Sequence, residues 1–533
     1  MDVSINRVGK RIWRAGQEDT QMPDISASAE KKLQFLSGEA MIDAVVQSTN
    51  DYLARMPKAC RKVQGQFFTG KETACFMAEL FSVEKLQGDI SLLDPGAGTG
   101  ILSAAVVERL QKRTGIRHIR LVCYENDSNV REILKSNLRL MAEASRIPLD
   151  WELRTDNFIT SQSEAYNLSL FATPHPEKYD LVIGNPPYKK LSKEAPEAVT
   201  MPDVCHGAPN LYFLFAAMAL FDLKDGGEMV FIIPRSWTSG AYFKNFREHF
   251  LKDGALERIH LFKSRDKVFR QENVLQETMI VKVVKSRQKP DHIIVSSSEA
   301  GEDFSAMQTL DLPYVSVVFG ADFYVFLPTS AEEAETLRKI ARFKETLPSI
   351  GLRMKTGLTV DFRNDEDLRD TAEEGAVPLF QARHIRAGKV VFPVGKSHEY
   401  IMARHPSLLQ RNANYLFIKR FTSKEEHRRL QCGVYLAKQH PGYSLISTQN
   451  KVNFIGGTPD LPDQIVYGLY VLFNSSLYDS YYRILNGSTQ VNSTEINAMP
   501  VPSFEDIADM GGELLKSRDM SEKGCDRILG GHL

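Results

Sequence analysis

Leu92-Leu93-Asp94-Pro95-Gly96-Ala97-Gly98-Thr99-Gly100 is the stretch that most constrains the fold of this chain. An apolar run at residues 90–93 leads into it and reads as a strand, and residues 101–112 continue with apolar side chains at helical spacing. Glycine at every second position of the connection permits a tight turn and lets a ligand come close to the backbone. The stretch therefore predicts a strand, a ligand-binding loop and a helix in immediate succession.

The same alternation of strand and helix continues on both sides of this loop. Further strands are predicted at residues 119–124, 179–184, 229–233 and 278–284, and further helices at 130–144 and 211–223. This rhythm predicts an α/β domain with a Rossmann-like, mostly parallel sheet covered on both faces. Ligands of such sheets bind at the carboxyl ends of the strands.

The alternation of strands and helices ends after about residue 289, and a mixed α+β pattern follows. Within it a helix is predicted at 330–343, with Ser330 and Glu333 as its start signal. We expect four parts: an N-terminal arm at 1–45, the sheet domain at 46–300, a second, mixed α+β domain at 301–505, and a weakly patterned tail at 506–533.

The glycine loop and the next two strand ends predict a site for a nucleoside-like cofactor. The spacing Gly-x-Gly-x-Gly offers no second glycine for a pyrophosphate, so S-adenosylmethionine fits better than NAD. An acid at the end of the second strand can accept hydrogen bonds from both ribose hydroxyls, and an acid and an aromatic ring one unit later can hold adenine. A structural glycine turn, a surface acid and a core Phe remain the alternatives. The candidate cofactor residues are Asp94, Gly96, Ala97, Gly98, Gly100, Glu125, Asp156 and Phe158.

Asn185-Pro186-Pro187-Tyr188 follows the predicted strand at 179–184 and carries the candidate chemistry. Two prolines stiffen the loop and donate no backbone N–H, which leaves carbonyl oxygens free to accept. If the Asn185 side-chain oxygen and the Pro186 carbonyl accept both hydrogens of a planar amine, its nitrogen lone pair can turn toward a methyl donor. Tyr188 can stack on the ring that bears the amine. A Pro-Pro turn with a capping Asn and a core Tyr is the alternative.

These motifs, in this order, resemble the gamma arrangement of adenine-N6 DNA methyltransferases from restriction–modification systems. Gln64-Gly65-Gln66-Phe67-Phe68-Thr69-Gly70 stands where that family has its first motif, although relatives often carry Pro at the position of Gly70. The resemblance covers roughly residues 60–285. It implies that Phe68, Thr69 and Asn185 contact the cofactor and that Phe269 is a second aromatic face over a flipped base.

The family resemblance also implies a partner and a setting. The substrate would be double-stranded DNA, and residues 301–505 would be its target-recognition domain. A cognate restriction endonuclease could exist as a separate protein, and the chain would act as a monomer. Cytosine N4, a protein glutamine or an RNA amine are alternative targets of the same motif, and a DNA-binding module with a vestigial cofactor fold is the non-enzymatic alternative. The chain carries no convincing nuclease signature of the form Pro-Asp followed by Glu-x-Lys, so a fused nuclease is not expected.

Bulk composition excludes several classes and hides a local feature. The chain has 533 residues with 66 Lys or Arg against 67 Asp or Glu, and no apolar run approaches the roughly 20 residues needed to span a bilayer. Six scattered cysteines without Cys-x-x-Cys argue against disulfides and a structural zinc, so we expect a cytoplasmic protein without a metal site.

Residues 381–451 nevertheless hold thirteen Lys or Arg and only three acids, a local net charge of +10 with aromatic residues interleaved. This composition suits contacts to DNA phosphates and base edges. A solvated charged face is the alternative. The candidate DNA-binding residues are Arg383, Arg386, Lys389, Lys419 and Arg420.

Overall fold

A nine-stranded sheet organises the first half of the chain in the computed structural model. The structure describes residues 41–55, 69–167, 177–262, 278–299, 301, 304–320, 322–423, 425–486 and 489–533. Strand order is β3-β2-β1-β4-β5-β7-β6-β8-β9; β1 to β5 run parallel to one another, and β7 is antiparallel to β5. The strands are β1 Gly88–Pro95, β2 Ile116–Tyr124, β3 Leu149–Arg154, β4 Tyr179–Gly184, β5 Leu223–Pro234, β6 Gly254–Phe262, β7 Thr278–Lys285, β8 His292–Ser298 and β9 Gln308–Pro313.

Helices cover this sheet. Two apolar cores lie against it, and its strands contribute residues to both. Leu211–Asp222 is apolar on nearly all sides and is buried accordingly, with the Asn210 side chain capping its first turn by accepting from the Tyr212 N–H. The helices of this part are α1 Met41–Arg55, α2 Lys71–Glu79, α3 Ile101–Leu110, α4 Ser128–Ala144, α5 Ser163–Tyr166, α6 Pro196–Thr200, α7 Leu211–Asp222, α8 Lys244–Asp253 and α9 Tyr314–Val317.

The predicted fold class is confirmed, and every strand predicted in this part is present. The sheet nevertheless extends beyond residue 300, because β8 pairs with β6 in parallel and β9 then pairs with β8 in antiparallel register. Pairing partners distant in sequence decide where a sheet ends, and local periodicity carries no signal for them. The predicted arm at 1–45 lies outside the described residues up to residue 40, and α1 begins at Met41.

The second half is built on two smaller sheets, ordered β13-β23-β20-β21-β17-β16 and β14-β18-β15-β22-β19, with two-stranded pairs β10-β11 and β12-β24 beside them. The strands are β10 Val318–Phe319, β11 Tyr324–Val325, β12 Glu345–Thr346, β13 Leu352–Thr356, β14 Leu368–Arg369, β15 Ala376–Phe380, β16 Ile385–Arg386, β17 Gly388–Val390, β18 Tyr400–Met402, β19 Gln410–Arg411, β20 Tyr415–Lys419, β21 Cys432–Tyr435, β22 Leu445–Thr448, β23 Val452–Gly457 and β24 Pro500–Val501.

Helices pack against the six-stranded sheet of this half and share a large core with it. The predicted helix start is confirmed, since the Ser330 side chain accepts from the Glu333 N–H at 3.2 Å. The helices are α10 Ala331–Ile340, α11 Asp463–Asn474, α12 Ser476–Leu485, α13 Ser493–Ala498, α14 Phe504–Ser517 and α15 Glu522–Gly530.

The residues beyond 505, expected as a weakly patterned tail, form α14 and α15 and contribute buried side chains to the same core. Two glycines make this possible. A Cβ on Gly468 of α11 would overlap the Ile507 carbonyl oxygen, and a Cβ on Gly511 of α14 would overlap the Gln464 carbonyl oxygen. The two helices therefore touch backbone to backbone, a contact that a pattern of apolar side chains does not reveal.

Among the helices within the described ranges, none has both the length and the apolar character needed to cross a bilayer.

The α11–α14 contact predicts opposite effects for two glycine substitutions. Gly468→Ala should lower the free energy of unfolding by about 1–3 kcal/mol, because the two helices must separate to admit a methyl group. Gly512→Ala is the matched control: its added Cβ would meet only the Gln464 Nε2 at 3.9 Å, so the variant should gain about 0.5–1 kcal/mol from helix propensity. Urea denaturation followed by circular dichroism checks both, and equal midpoints for the two variants would contradict the backbone contact.

Candidate active site

A cavity of about 570 Å³ opens at the carboxyl ends of the parallel strands. It lies where β1 pairs with β2 on one side and with β4 on the other, so the helices that follow β1 and β4 leave a crevice between them. The volume is within the range of small-molecule and cofactor sites. Loops after β1, β2, β3 and β4 all contribute to its wall.

The glycine loop forms one wall of this cavity through backbone conformations that only glycine adopts easily. Gly96, Gly98 and Gly100 have φ of 89°, 56° and 87°. The N–H groups of Gly96 and Ala97 both donate to the Tyr124 carbonyl oxygen at 2.9 Å, which fixes the loop to the end of β2. Gly96, Ala97 and Gly98 line the cavity, whereas Gly100 starts α3 and packs against the neighbouring helix α4.

Asp94 supports the loop from beneath. Its carboxyl group is fully buried and accepts from the Ser103 hydroxyl at 2.6 Å, and Asp94 is not among the residues that line the cavity. Burial raises the pKa of Asp94 to about 7, and the Ser103 hydrogen bond opposes the rise. The geometry ties the end of β1 to the first turn of α3.

Glu125 is the acidic group predicted at the end of the second strand, and it lines the cavity. Its Oε2 accepts from the Gly98 N–H at 2.9 Å and its Oε1 from the Asp127 N–H at 2.8 Å. Burial raises the pKa of Glu125, while these two backbone donors oppose the shift. The carboxylate is therefore oriented before any ligand arrives, and the remaining lone pairs of both oxygens can accept from hydroxyl groups.

The next strand end places an acid and an aromatic ring on the same cavity. Asp156 is exposed and Phe158 is buried, and both line the wall. The Phe158 ring meets Tyr124 edge-on, with 5.1 Å between ring centroids, and lies 5.2 Å from the Phe215 ring. Phe215 comes from the apolar helix α7, where nothing in the sequence distinguishes it from the core residues around it.

Asn185 and Pro187 line the cavity at the end of β4, and Pro186 is buried behind them. The Asn185 side-chain Nδ2 donates to the Thr69 hydroxyl at 3.2 Å, which links the predicted catalytic loop to the residue predicted to contact the cofactor. Thr69 lies just before α2 and also lines the cavity. Phe68 and Phe269, the other two residues proposed from the family resemblance, lie outside the described residues.

Tyr188 is not among the residues that line this cavity. Its hydroxyl donates to the Ile232 carbonyl oxygen at 3.1 Å, and its ring meets Tyr212 edge-on with centroids 6.2 Å apart. The ring is partly buried against the core beside β5. Its stacking role therefore stays a prediction.

The charge of the cavity identifies the kind of ligand that fits. Four carboxylates line it against a single lysine, Lys189; the acids are Glu125, Asp127, Asp156 and Glu197. Such a wall repels the two phosphates of a dinucleotide and attracts a cation. S-adenosylmethionine carries a positive sulfonium and an ammonium group together with a nucleoside, so the residues present fit this cofactor.

Sequence reasoning missed Asp127, Lys189, Glu197 and Phe215 among the lining residues. The sequence could have pointed to Asp127, because an Asp before a predicted helix is a typical N-cap. In the structure its side chain accepts from the Asn129 N–H at 2.9 Å. Glu197 lies on α6 and accepts from the Asn157 side-chain amide at 2.8 Å, a contact between segments forty residues apart.

The candidate DNA-binding residues lie in the second half and differ in their surroundings. Arg386 and Lys389 are exposed on β16 and β17, and Arg383 is partly buried just before them. The Lys419 side chain donates to the Gln431 side-chain oxygen, and Arg420 donates to the Asn450 carbonyl oxygen. The last two side chains therefore already have partners within the chain.

Part of the basic stretch is structural. Arg429 is completely buried, where its side chain donates to the Thr422 hydroxyl and the Asn486 carbonyl oxygen. Arg428 forms an ion pair with Glu522 of α15 at 2.8 Å. The local charge of +10 thus overstates what the surface presents.

The fold and this site define a methyltransferase class with a Rossmann-like sheet. Residues 111–269 match the family described as Eco57I restriction-modification methylase. The type II methyltransferase M.BsuBI of Bacillus subtilis is 34% identical over 84% of this chain and 89% of its own length, and M.PstI of Providencia stuartii is 31% identical over 90% and 94%. The chain belongs to the type II methyltransferases of restriction–modification systems, whose cofactor is S-adenosylmethionine.

Two solved structures are also similar. The type IIL restriction-modification enzyme MmeI in complex with DNA shares 10% identity over 94% of this chain and 74% of its own, with a TM-score of 0.47. A class I S-adenosylmethionine-dependent methyltransferase from Listeria monocytogenes shares 17% identity over 44% and 67%, with a TM-score of 0.35.

The buried carboxyl group beneath the glycine loop predicts a pH dependence of stability. The pKa of Asp94 is raised to about 7 in the folded state, whereas the unfolded pKa is about 3.9. The contribution of Asp94 to the free energy of unfolding is therefore fully present below about pH 3.9 and is lost as the pH rises toward 7. Asp94→Asn keeps an oxygen that can accept from Ser103 but cannot ionise. We therefore expect the urea midpoint of Asp94→Asn, relative to that of the wild type, to increase between pH 5 and pH 8.

Asp89→Asn, at the exposed start of the same strand, is the matched control and should run parallel to the wild type. A constant difference between Asp94→Asn and the wild type across this pH range would contradict the assignment.

Proposed function

We propose that this chain transfers a methyl group from S-adenosylmethionine to N6 of an adenine in a specific sequence of double-stranded DNA. The observation that carries the proposal is the position of Asn185 and Pro187 in the wall of the same cavity as Gly96, Gly98 and Glu125. A rigid loop of acceptor oxygens thus faces the pocket that fits the methyl donor.

The exocyclic nitrogen of adenine is a poor nucleophile because its lone pair is delocalised into the ring. Since Asn185 commits its Nδ2 to Thr69, it presents its side-chain oxygen as an acceptor, and the Pro186 carbonyl provides the second. Accepting both amine hydrogens out of the ring plane localises the lone pair on nitrogen, and the same oxygens stabilise the positive charge that develops as the bond forms. The nitrogen loses a proton to solvent only after methylation has made it cationic and the proton acidic, so no strong base is needed before transfer.

Each cavity residue then has a role in holding the methyl donor. The glycine loop admits the ligand against its backbone, Glu125 accepts from the ribose hydroxyls, Asp156 accepts from the adenine amine, and Phe158 packs on that ring. Thr69 orients Asn185 from the methionine end. S-adenosylmethionine, when bound, supplies an electrophilic methyl group on a sulfonium.

The target amine must leave the base stack to reach this loop. Asn185 and Pro187 face a cavity rather than a flat surface, and enzymes that modify a base inside a duplex extrude it into such a pocket. Tyr188 and Phe269 would hold the extruded base between aromatic faces. In this proposal the second half of the chain binds the duplex, the enzyme acts as a monomer, and it protects DNA from a separate restriction endonuclease.

The reaction is tested by incubating the protein with duplex DNA and S-adenosylmethionine labelled in the methyl group. Digestion to nucleosides followed by chromatography should give labelled N6-methyladenine. A product at N4 of cytosine would assign the same loop to the alternative base, and label that survives nuclease digestion would point to protein. Without label in any DNA, host genome included, the proposal fails.

The acceptor role of Asn185 predicts a loss of transfer without loss of binding. Asn185→Ala should lower the rate of methyl transfer at least about 100-fold, as removal of one group that stabilises developing charge does elsewhere. Its affinity for S-adenosylmethionine, measured by calorimetry, should change little, because the ribose and adenine contacts remain. Asn185→Asp keeps an acceptor oxygen and should retain more activity than Ala. Equal rates for Ala and the wild type would refute the role.

The exposed cations on β16 and β17 predict that their substitution changes the salt dependence of DNA binding. If Lys389 contacts a phosphate, Lys389→Ala should weaken DNA binding uniformly across sequences and reduce the slope of log K against log salt by about one. Lys523→Ala, on the exposed face of α15, removes the same charge and serves as the control. The same slope for both variants would remove Lys389 from the interface.

A further inference from the structure

A second cavity, of about 290 Å³, lies in the second half of the chain and shares no lining residue with the first. We call it the polar notch. Its wall combines an acid, two bases and four further polar side chains; the lining residues are Asp361, Gln381, Ala382, Arg383, Ser397, His398, Gln449 and Lys451.

The floor of the polar notch is a rigid structure. The Gln449 N–H donates to the Phe380 carbonyl oxygen at 2.9 Å, and the Asn450 N–H donates to the Thr359 carbonyl oxygen at 2.7 Å. These bonds join three segments distant in sequence. Gln381 and Gln449 are 8% and 4% exposed, so neither is a freely rotating surface side chain.

A buried pair holds the rim of the notch. The His384 Nδ1 accepts from the Gln381 N–H, and His384 Nε2 lies 2.9 Å from the Glu399 carboxylate. Glu399 also accepts from the N–H groups of Val394 and Gly395, which fixes the loop that ends in Ser397 and His398. The geometry of the notch is therefore set before a ligand binds.

The notch offers an acceptor and a donor that do not satisfy each other. Asp361 Oδ1 and Arg383 Nε are buried and have no hydrogen-bond partner within the described residues. The other Asp361 oxygen accepts from the Gln449 side chain, and an Arg383 Nη donates to the Ser397 carbonyl oxygen. Among the residues that the structure describes, no ion pair joins the two side chains, although both line one cavity. Leaving such groups unpaired is costly, so their arrangement points to a ligand that is both a donor and an acceptor.

An exposed aromatic ring lies next to the notch. Phe362 is 80% exposed, directly after Asp361, and the Arg363 guanidinium lies over its ring at 5.6 Å. A large apolar side chain in this position has no role in the core. It is available to pack on a sugar, a thymine methyl or a base step.

From these observations we propose that the polar notch reads one G·C base pair in the major groove of the DNA substrate. Asp361 accepts from cytosine N4, and Arg383 donates to guanine O6 and N7, the pairing that the base edges require. Lys451, exposed at the rim, contacts a phosphate, and Phe362 packs beside the pair. This assignment rests on the function proposed above and specifies residues that determine its sequence specificity.

A phosphate alone does not account for the notch. An anion-binding site would gain nothing from the Asp361 carboxylate and would lose affinity by repulsion. A solvated charged face does not account for it either, because the Asp361 and Arg383 atoms concerned are buried. A base pair presents a donor and an acceptor side by side.

The test begins with the methylated sequence of the wild type, obtained by sequencing modified bases in DNA from cells that express the chain. Purified Arg383→Ala and Asp361→Ala are then compared on the cognate duplex and on duplexes substituted at each G·C pair. Both variants should lose discrimination by ten- to hundredfold at the same single position and keep it elsewhere. Asp361→Asn, which retains the shape of the side chain, should lose discrimination at that position too and guards against misfolding of the Ala variant.

Arg386→Ala is the matched control, because it removes the same charge three residues away, outside the notch. It should weaken binding to all duplexes alike and leave discrimination intact. Cofactor affinity and melting temperature of every variant should match the wild type. If the wild type methylates DNA while the Arg383 and Asp361 variants discriminate as it does, the notch assignment is overturned and the proposed function stands. If the wild type methylates no DNA, both are overturned.

Discussion

The site depends on the way three parallel strands meet. β1 pairs with β2 and with β4, so the chain must leave β1 at the point where the covering helices diverge. The glycine loop makes this exit by left-handed backbone conformations, and the Tyr124 carbonyl oxygen holds it with two N–H donors. The polar groups that follow the strands then depend on which strand end lies beside that loop. Glu125 comes from β2, Asp156 and Phe158 follow β3, and Asn185 follows β4.

The carboxylates around the cavity determine which charge of ligand it favours. Four carboxylates around one cavity would destabilise each other, yet Glu125 is held by backbone N–H groups, and Asp127 caps a helix. These fixed donors let the acids remain oriented in partly buried surroundings, where they favour a cationic ligand over a phosphorylated one. Asp94 stands apart from them: it is buried below the loop and has its pKa raised to about 7, which suits a structural hydrogen bond with Ser103 better than contact with a ligand.

The second half shows how a basic composition divides between folding and recognition. Arg428 and Arg429 connect the smaller sheets to α12 and α15, because Asp479 accepts from the N–H of Arg429 and Glu522 pairs with Arg428. The helices after residue 505 close the same core through the backbone contact of α11 with α14. Cations that remain exposed, such as Lys389 and Lys451, are the ones that we propose contact DNA phosphates. The notch beside Lys451 combines such a cation with buried groups of defined direction.

The sequence by itself determined the order of strands and helices around the glycine loop, the cofactor class and the Asn185 loop. These features are local: alternating apolar runs, glycine spacing and proline rigidity act within a few residues. Glu125, Asp156, Phe158 and Asn185 are identifiable in this way because each stands at a strand end or in a motif, whereas Thr69 is implied by the family resemblance. The tertiary structure alone decided which of them share a cavity, that Tyr188 lies against β5, and that Glu197 and Phe215 complete the wall. It also decided that the sheet continues to β9, that α14 and α15 contribute side chains to the core, and that Asp361 and Arg383 line one cavity. These outcomes depend on contacts between residues tens of positions apart, whose free energy comes from burial and backbone approach in the folded chain and leaves no trace in local periodicity.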